Sequence, residues 1–217
     1  MINKNLFLAF RTGFGATFAV IALALVMSVN AFATYYVGGT VYNENSTAAA
    51  PHNYVVGATV CAKAGGVDVV CADTTTGGTY YLYGLSGGVA YEVHVSKAAY
   101  PRQTAAAYID SDDYNRLATH INNTNPFATD FLKWAADVSG NGTISTFDQG
   151  KILAWTQSTG DFAHTGEWRF TPEEEGCPWP ASDASVSRYY LNLTASLDDQ
   201  DFDAIVKGEV TGDWVSQ

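Results

Sequence analysis

The stretch ADVSGNGTISTFDQGKILAWTQ, residues Ala136 to Gln157, decides how the rest of the chain is read. From Asp137, oxygen-bearing side chains fall at alternate positions: Asp137, Ser139 and Asn141. Counting from Asp137, Gly142 stands at position six, Thr143 at seven, Ser145 at nine and Asp148 at twelve. A tight loop with this order aims alternate side-chain oxygens inward, adds the backbone carbonyl of position seven, and needs glycine at six for the turn. Ile144, at position eight, is apolar, as suits a residue turned to a core. Asn-Gly and Ser-Gly also make ordinary polar turns, yet five side-chain positions, the glycine and Ile144 all fit a loop around a hard cation.

The twelfth residue is Asp148 rather than the longer Glu of an EF-hand, and no helix-forming run directly precedes Asp137. Ile152, Leu153 and Trp155, beside Lys151, form an amphipathic helix after the loop. A loop closed by Asp and followed by such a helix resembles the dockerin type of calcium-binding repeat module. The resemblance implies Ca2+ on Asp137, Ser139, Asn141, Thr143, Ser145 and Asp148.

A degenerate copy at Asp110–Ile121 (DSDDYNRLATHI) strengthens it. Ile109 matches Ile144, Asp113 matches Asp148, Arg116 matches Lys151 and Leu117 matches Ile152, all at an offset of 35 residues. The positions matching Asp137, Ser139 and Asn141 are Arg102, Thr104 and Ala106, so the first half of that loop cannot hold a cation. Near the C-terminus, Glu209, Thr211 and Asp213 alternate like the opening of a loop that breaks off at Trp214. One half-loop lacks its beginning and another its end. Together they make a split second calcium site of Asp110, Asp113, Glu209, Thr211 and Asp213; the alternative, two relics with solvated acids, stays open.

At 217 residues, 47% hydrophobic and 13% aromatic, the chain can bury one large or two small cores. Residues 1–33 read as a secretory signal peptide. Lys4 and Arg11 are its basic region, Phe14 to Val29 the apolar run, and Ala31-Phe32-Ala33 the cleavage motif before Thr34. A retained anchor is the competing reading, because the apolar run is long. The chain is therefore expected to be secreted, extracellular or at the cell surface. With 22 acidic against 11 basic residues the net charge is −11, which disfavours nucleic acid and anionic membrane. No later segment reads as a membrane span.

From Tyr35 to about Lys97, apolar and β-branched residues alternate in VGGTVYN, YVVGATVCA, VDVVCA, GTYYLYGL and AYEVHVSK, between Gly, Asn, Asp and Ser. The fold class is thus mainly β with a small α module, an Ig-like β-sandwich over 34–100 followed by a calcium-binding helical module with a return segment over 101–217. The order G-T-V-Y, V-x-G-A-T-V, G-x-Y-x-L-x-G-L and Y-x-V-x-V resembles the prealbumin-like and carboxypeptidase-regulatory-like sandwiches. Cys61 and Cys71 flank a Gly65-Gly66 hairpin tip, where two thiols face each other and form a disulfide in an exported chain. Cys177 is left over.

GEWRFTP and VSRYYLNLTA read as short extended segments in the second half, and EEEGCPWPAS as a loop. The five tryptophans, Trp134, Trp155, Trp168, Trp179 and Trp214, are spaced as core anchors more than as a sugar platform. Sequons at Asn45, Asn122 and Asn192 are glycosylation candidates, whereas Asn141 is needed in the loop.

No catalytic constellation stands out. Gly84-Leu85-Ser86-Gly87-Gly88 matches a nucleophile pattern, but a strand follows Ser86 where that chemistry needs a helix. His52, His94, His120 and His164 are scattered without metal spacing. The chain therefore reads as a non-catalytic, calcium-stabilised structural protein, a subunit of an extracellular fibre, pilus-like filament or surface layer. Its segment Thr34–Ala50 is able to add a strand to a neighbour's sheet edge, or to complete its own sandwich. Two alternatives remain: docking to a cohesin-bearing scaffold, and a glycan-binding adhesin. Against the first, Thr146-Phe147 in one repeat faces Ser111-Asp112 in the other, which argues against a symmetric docking face.

Overall fold

Val37 and Val41, on one side of a strand and fully buried, fix the centre of the first sheet. That strand, β1 (Thr34–Asn43), pairs antiparallel with β4 (Thr79–Ser86) and parallel with β8 (Phe202–Val206). β6 (Trp168–Pro172) then pairs antiparallel with β8, so the order is β4-β1-β8-β6. The second sheet, order β3-β2-β5-β7, contains β2 (Thr59–Ala64), β3 (Val67–Asp73), β5 (Tyr91–Ser96) and β7 (Arg188–Tyr190). The protein is described by a computed structural model for residues 33–44, 53–100 and 108–214.

The expected alternation holds strand by strand. Val60 and Ala62 of β2, Tyr80, Leu82 and Leu85 of β4, and Tyr91, Val93 and Val95 of β5 are all buried. Most residues between them stay at least partly exposed, as one-faced strands require. Tyr81 lies across Gly38, its registered partner on β1; a Cβ there would come within 2.5 Å of the ring. Cys61 and Cys71 stand opposite each other and form a disulfide, S–S 2.04 Å.

Both sheets recruit strands from beyond residue 100. β6 and β8 form half of the first sheet, and β7 closes the second against β5. From Thr34 onward the chain is one compact unit, so residue 100 does not divide two such units. The expected leader, apart from Ala33, lies outside the described residues, as do Asn45, His52, Arg102, Thr104 and Ala106. No described helix is long and apolar enough to cross a membrane.

Three short α-helices stand among the described residues, α1 (Ser111–Ile121), α2 (Asp130–Ala136) and α3 (Thr146–Thr156), and α2 packs against β8 of the first sheet. α1 and α3 pack against each other, and each fully buries an apolar side chain, Leu117 and Ile152, each stabilising by roughly 1.5–3 kcal/mol. The expectation that no helix precedes Asp137 is corrected by α2, which ends one residue before it. Seven residues are too few for a helix to persist alone or to show a period. Thr129 caps it, accepting the Leu132 N–H, and burial of Trp134, Ala135 and Ala136 holds it in place.

Candidate metal centre

Asp137 follows α2 and Asp148 sits in the first turn of α3, so two helices deliver the first and last carboxylates of the loop. Both residues are at most 1% exposed. Asp137 Oδ1 accepts the Ser139 hydroxyl and the Asn141 N–H, each at 3.1 Å, and Oδ2 accepts the Gly142 N–H at 2.7 Å. Asp148 Oδ1 accepts the Ser139 N–H at 3.0 Å, and Oδ2 accepts the Ser145 N–H at 3.0 Å and its hydroxyl at 3.2 Å. Ser145 is the N-cap of α3 and Asp148 completes its capping box, so closing the loop and starting the helix are one act. Gly142 has φ +78°, a left-handed turn where glycine carries no side-chain penalty. Asn141 Oδ1 accepts the Thr143 N–H at 2.8 Å, and Ile144 packs against the core.

The two half-loops expected to complement each other do meet. Asp113, in the first turn of α1, accepts the Val210 and Thr211 N–H groups on Oδ1, at 2.7 and 3.1 Å, and the Asp110 N–H on Oδ2 at 2.9 Å. Glu209 Oε1 accepts the Thr211 N–H at 3.0 Å, its hydroxyl at 3.2 Å and the Gly212 N–H at 2.6 Å. Three of these bonds repeat bonds of the intact loop. Thr211 N–H to Asp113 repeats Ser139 N–H to Asp148; Asp110 N–H to Asp113 repeats Ser145 N–H to Asp148; the Thr211 hydroxyl on Glu209 repeats the Ser139 hydroxyl on Asp137. Asp110 and Asp113 also form a capping box on α1, as Ser145 and Asp148 do on α3.

The split loop carries more charge. Burial pushes the Asp113 carboxyl up to about 7, with the Asp213 and Asp110 charges adding to it and backbone N–H groups opposing. Glu209, fully buried, is pushed up to about 8 by burial and then by the Asp113 charge. Asp213, exposed, is raised by partial burial of its carboxyl and by Asp110.

The two loops are tied together by a residue that sequence reading missed. Lys207, fully buried, lies between the end of β8 and Glu209, and its Nζ donates to the Asp137 carbonyl at 2.7 Å. It also pairs with Asp183, whose other oxygen takes Arg169 Nη2 at 3.2 Å. Gly208 N–H donates to Ala135 O at 2.9 Å. A lysine just after a C-terminal strand carries no local signal of a partner 70 residues earlier.

The intact loop offers carboxylate, hydroxyl, amide and carbonyl oxygens and the split loop carboxylate and hydroxyl oxygens, the chemistry of a hard cation rather than of zinc. Among the described residues, the group of three Cys, His, Asp or Glu side chains with ligand atoms within 4.8 Å of one another is Cys61, Asp68 and Cys71. Its thiols are joined in the disulfide and offer no thiolate. The split loop's carboxylates are spread more widely than this.

Ser86 ends β4 and the chain turns into β5, without the helix a nucleophile elbow needs. His94 pairs with Asp68, His120 accepts the Phe127 N–H, and His164 pairs with Glu167. Trp134, Trp155, Trp168 and Trp214 are buried and Trp179 partly so. Asn122 and Asn192 are exposed. Cys177 is partly buried, which pushes its thiol up to about 11. Comparison with protein-family models found none that matches this chain, and comparison with curated proteins found no match either.

Proposed function

We propose that the chain is a secreted, non-catalytic building block of an extracellular assembly, a filament or surface layer, stabilised by calcium in the Asp137–Asp148 loop and in the split loop. Assembly proceeds by donation of β1 to the next copy. The observation that carries this reading is the place of β1. It is the first strand after the expected cleavage site, yet it lies inside its sheet between β4 and β8. Withdrawing it bares two strand edges and the pockets of Val37 and Val41, the arrangement that accepts an added strand. Calcium would be held by Asp137, Ser139, Asn141, Thr143, Ser145 and Asp148, and by Asp110, Asp113, Glu209, Thr211 and Asp213. Its charge would offset the buried carboxylates and hold the helices to the end of β8.

The test is light scattering coupled to size exclusion on residues 34–217, in calcium and in EGTA. A calcium-dependent high-mass species that disappears when residues 34–43 are deleted is expected. A monomer under both conditions overturns assembly, and a monomer that binds immobilised cohesin supports docking instead.

A second reading, a glycan-binding adhesin, is favoured by Tyr81 and Tyr83, 44% and 65% exposed, whose rings stack with centroids 5.8 Å apart beside Tyr36. Binding on a glycan array that is lost in Tyr81→Ala/Tyr83→Ala would support it.

A further inference from the structure

Lys207 and Asp183 meet where no solvent reaches the lysine. Lys207 directly follows β8 and is fully buried. Its N–H donates to Glu167 O at 2.9 Å and its carbonyl accepts the Gly166 N–H at 2.8 Å, so its backbone is held on both sides. Asp183 lies in the chain between β6 and β7. Arg169 holds it by two bonds, Nε donating to its carbonyl at 2.6 Å and Nη2 to its Oδ2 at 3.2 Å. Gly140 walls in the carboxyl, since a Cβ there would come within 2.9 Å of Asp183 Cγ.

Two fixed groups of opposite charge in contact would ordinarily form a hydrogen-bonded ion pair. This contact has a different geometry. Lys207 Nζ touches Asp183 Oδ1, yet Oδ1 is buried and has no hydrogen-bond partner among the described residues. An ammonium brings three N–H donors, and the hydrogen bond that Nζ donates goes to the Asp137 carbonyl at 2.7 Å. As an ion pair the contact therefore leaves buried donors and a buried acceptor unmet, which is costly. An amide between Nζ and Cγ has one N–H and one carbonyl oxygen, and both already have partners. Asp137 O would take the N–H, and Arg169 Nη2 already donates to Oδ2. Arg169 keeps Glu167 as its counter-charge at 2.9 Å.

We propose that Lys207 and Asp183 condense into an intramolecular amide, which ties the end of β8 to the chain before β7. One proton of the Nζ ammonium passes to Oδ1, and the freed lone pair attacks Cγ. Arg169 Nη2, already on Oδ2, stabilises the negative charge that develops there. The Cγ–Oδ1 bond then breaks, and Oδ1 leaves as water with two of the three ammonium protons. The third proton stays on the amide nitrogen. One positive and one negative charge disappear together, and no oxidant or other co-reactant is consumed. Holding both groups in contact supplies the high effective concentration that such a step needs. The bond does not depend on the assembly proposed above.

Intact-mass measurement on the purified chain, denatured and with its disulfide reduced, tests the bond. The parent should be lighter than its sequence, counted from its own N-terminal residue, by one water. Trypsin should leave Lys207 uncut and yield residues 170–188 joined to residues 189–217. Asp183→Ala should have the full mass of its sequence. Asp183→Asn presents a carboxamide, so condensation expels ammonia instead of water, and the variant should reach the same cross-linked mass as the parent. A parent of full sequence mass overturns the bond. So does a parent lighter by one water whose residues 170–188 are released unjoined.

Discussion

Asp113 and Val210 lie 97 residues apart, and the Asp113 Oδ1 atom accepts the Val210 N–H at 2.7 Å. This bond joins the start of α1 to the tail and completes a loop whose two halves come from distant parts of the chain. Glu209, one residue before Val210, is buried beside the same carboxylate.

A cation in the split loop reverses the sign of one substitution. Glu209→Gln removes a buried charge, so in EGTA it should raise the thermal midpoint. In calcium it removes a ligand and should lower it. Scanning calorimetry in the two buffers checks this, and a shift of the same sign in both removes the cation from this loop. Asp113→Ala, by contrast, leaves the Val210, Thr211 and Asp110 N–H groups without their acceptor and should destabilise by about 2–4 kcal/mol in urea titration.

In the intact loop, chelation should lower the thermal midpoint of the parent. Asp137→Asn/Asp148→Asn should show a smaller difference between calcium and EGTA. If it keeps the parent's full response, Asp137 and Asp148 hold no ion.

His120 gives a dependence on pH that is separate from the loops. Its Nδ1 accepts the Phe127 N–H at 3.0 Å, which requires the neutral ring. Burial lowers its pKa below the ordinary histidine value, and Arg116 and Lys133 lower it further. The folded state thus binds the proton less readily than the unfolded one. The stabilisation is present above the unfolded pKa of about 6.5 and is lost as pH falls through the lower folded value. His120→Asn keeps an acceptor but cannot titrate, so the fall in thermal midpoint from about pH 7 to about pH 5 should be smaller than in the parent.

The Cys61–Cys71 disulfide closes a short stretch of chain, with a sequence separation of 10 residues. Replacing both cysteines by serine should cost about 2–3 kcal/mol through the unfolded chain's restored freedom, read from the urea midpoint. Calcium binding should not change, because neither thiol stands in a loop.

Much of the local structure was legible. Residues 37–97 alternate with the strand period, and β2 to β5 lie where the alternation falls. The loop order from Asp137 to Asp148 is a local pattern, and so is the 35-residue offset that exposes Asp110 and Asp113 as its partial copy. The helix α2 was not legible, because seven residues show less than two full periods and its stability comes from burying Trp134.

By itself the sequence determined which segments extend, where the loop turns and which residues carry oxygen, since these follow from neighbours a few positions apart. Only the tertiary structure decided that β8 lies beside β1 and that Lys207 reaches Asp137. Those pairings join residues 70 to more than 150 positions apart. Their energy depends on burial and on charges that meet only when the sheets close, so no short stretch of the chain records them.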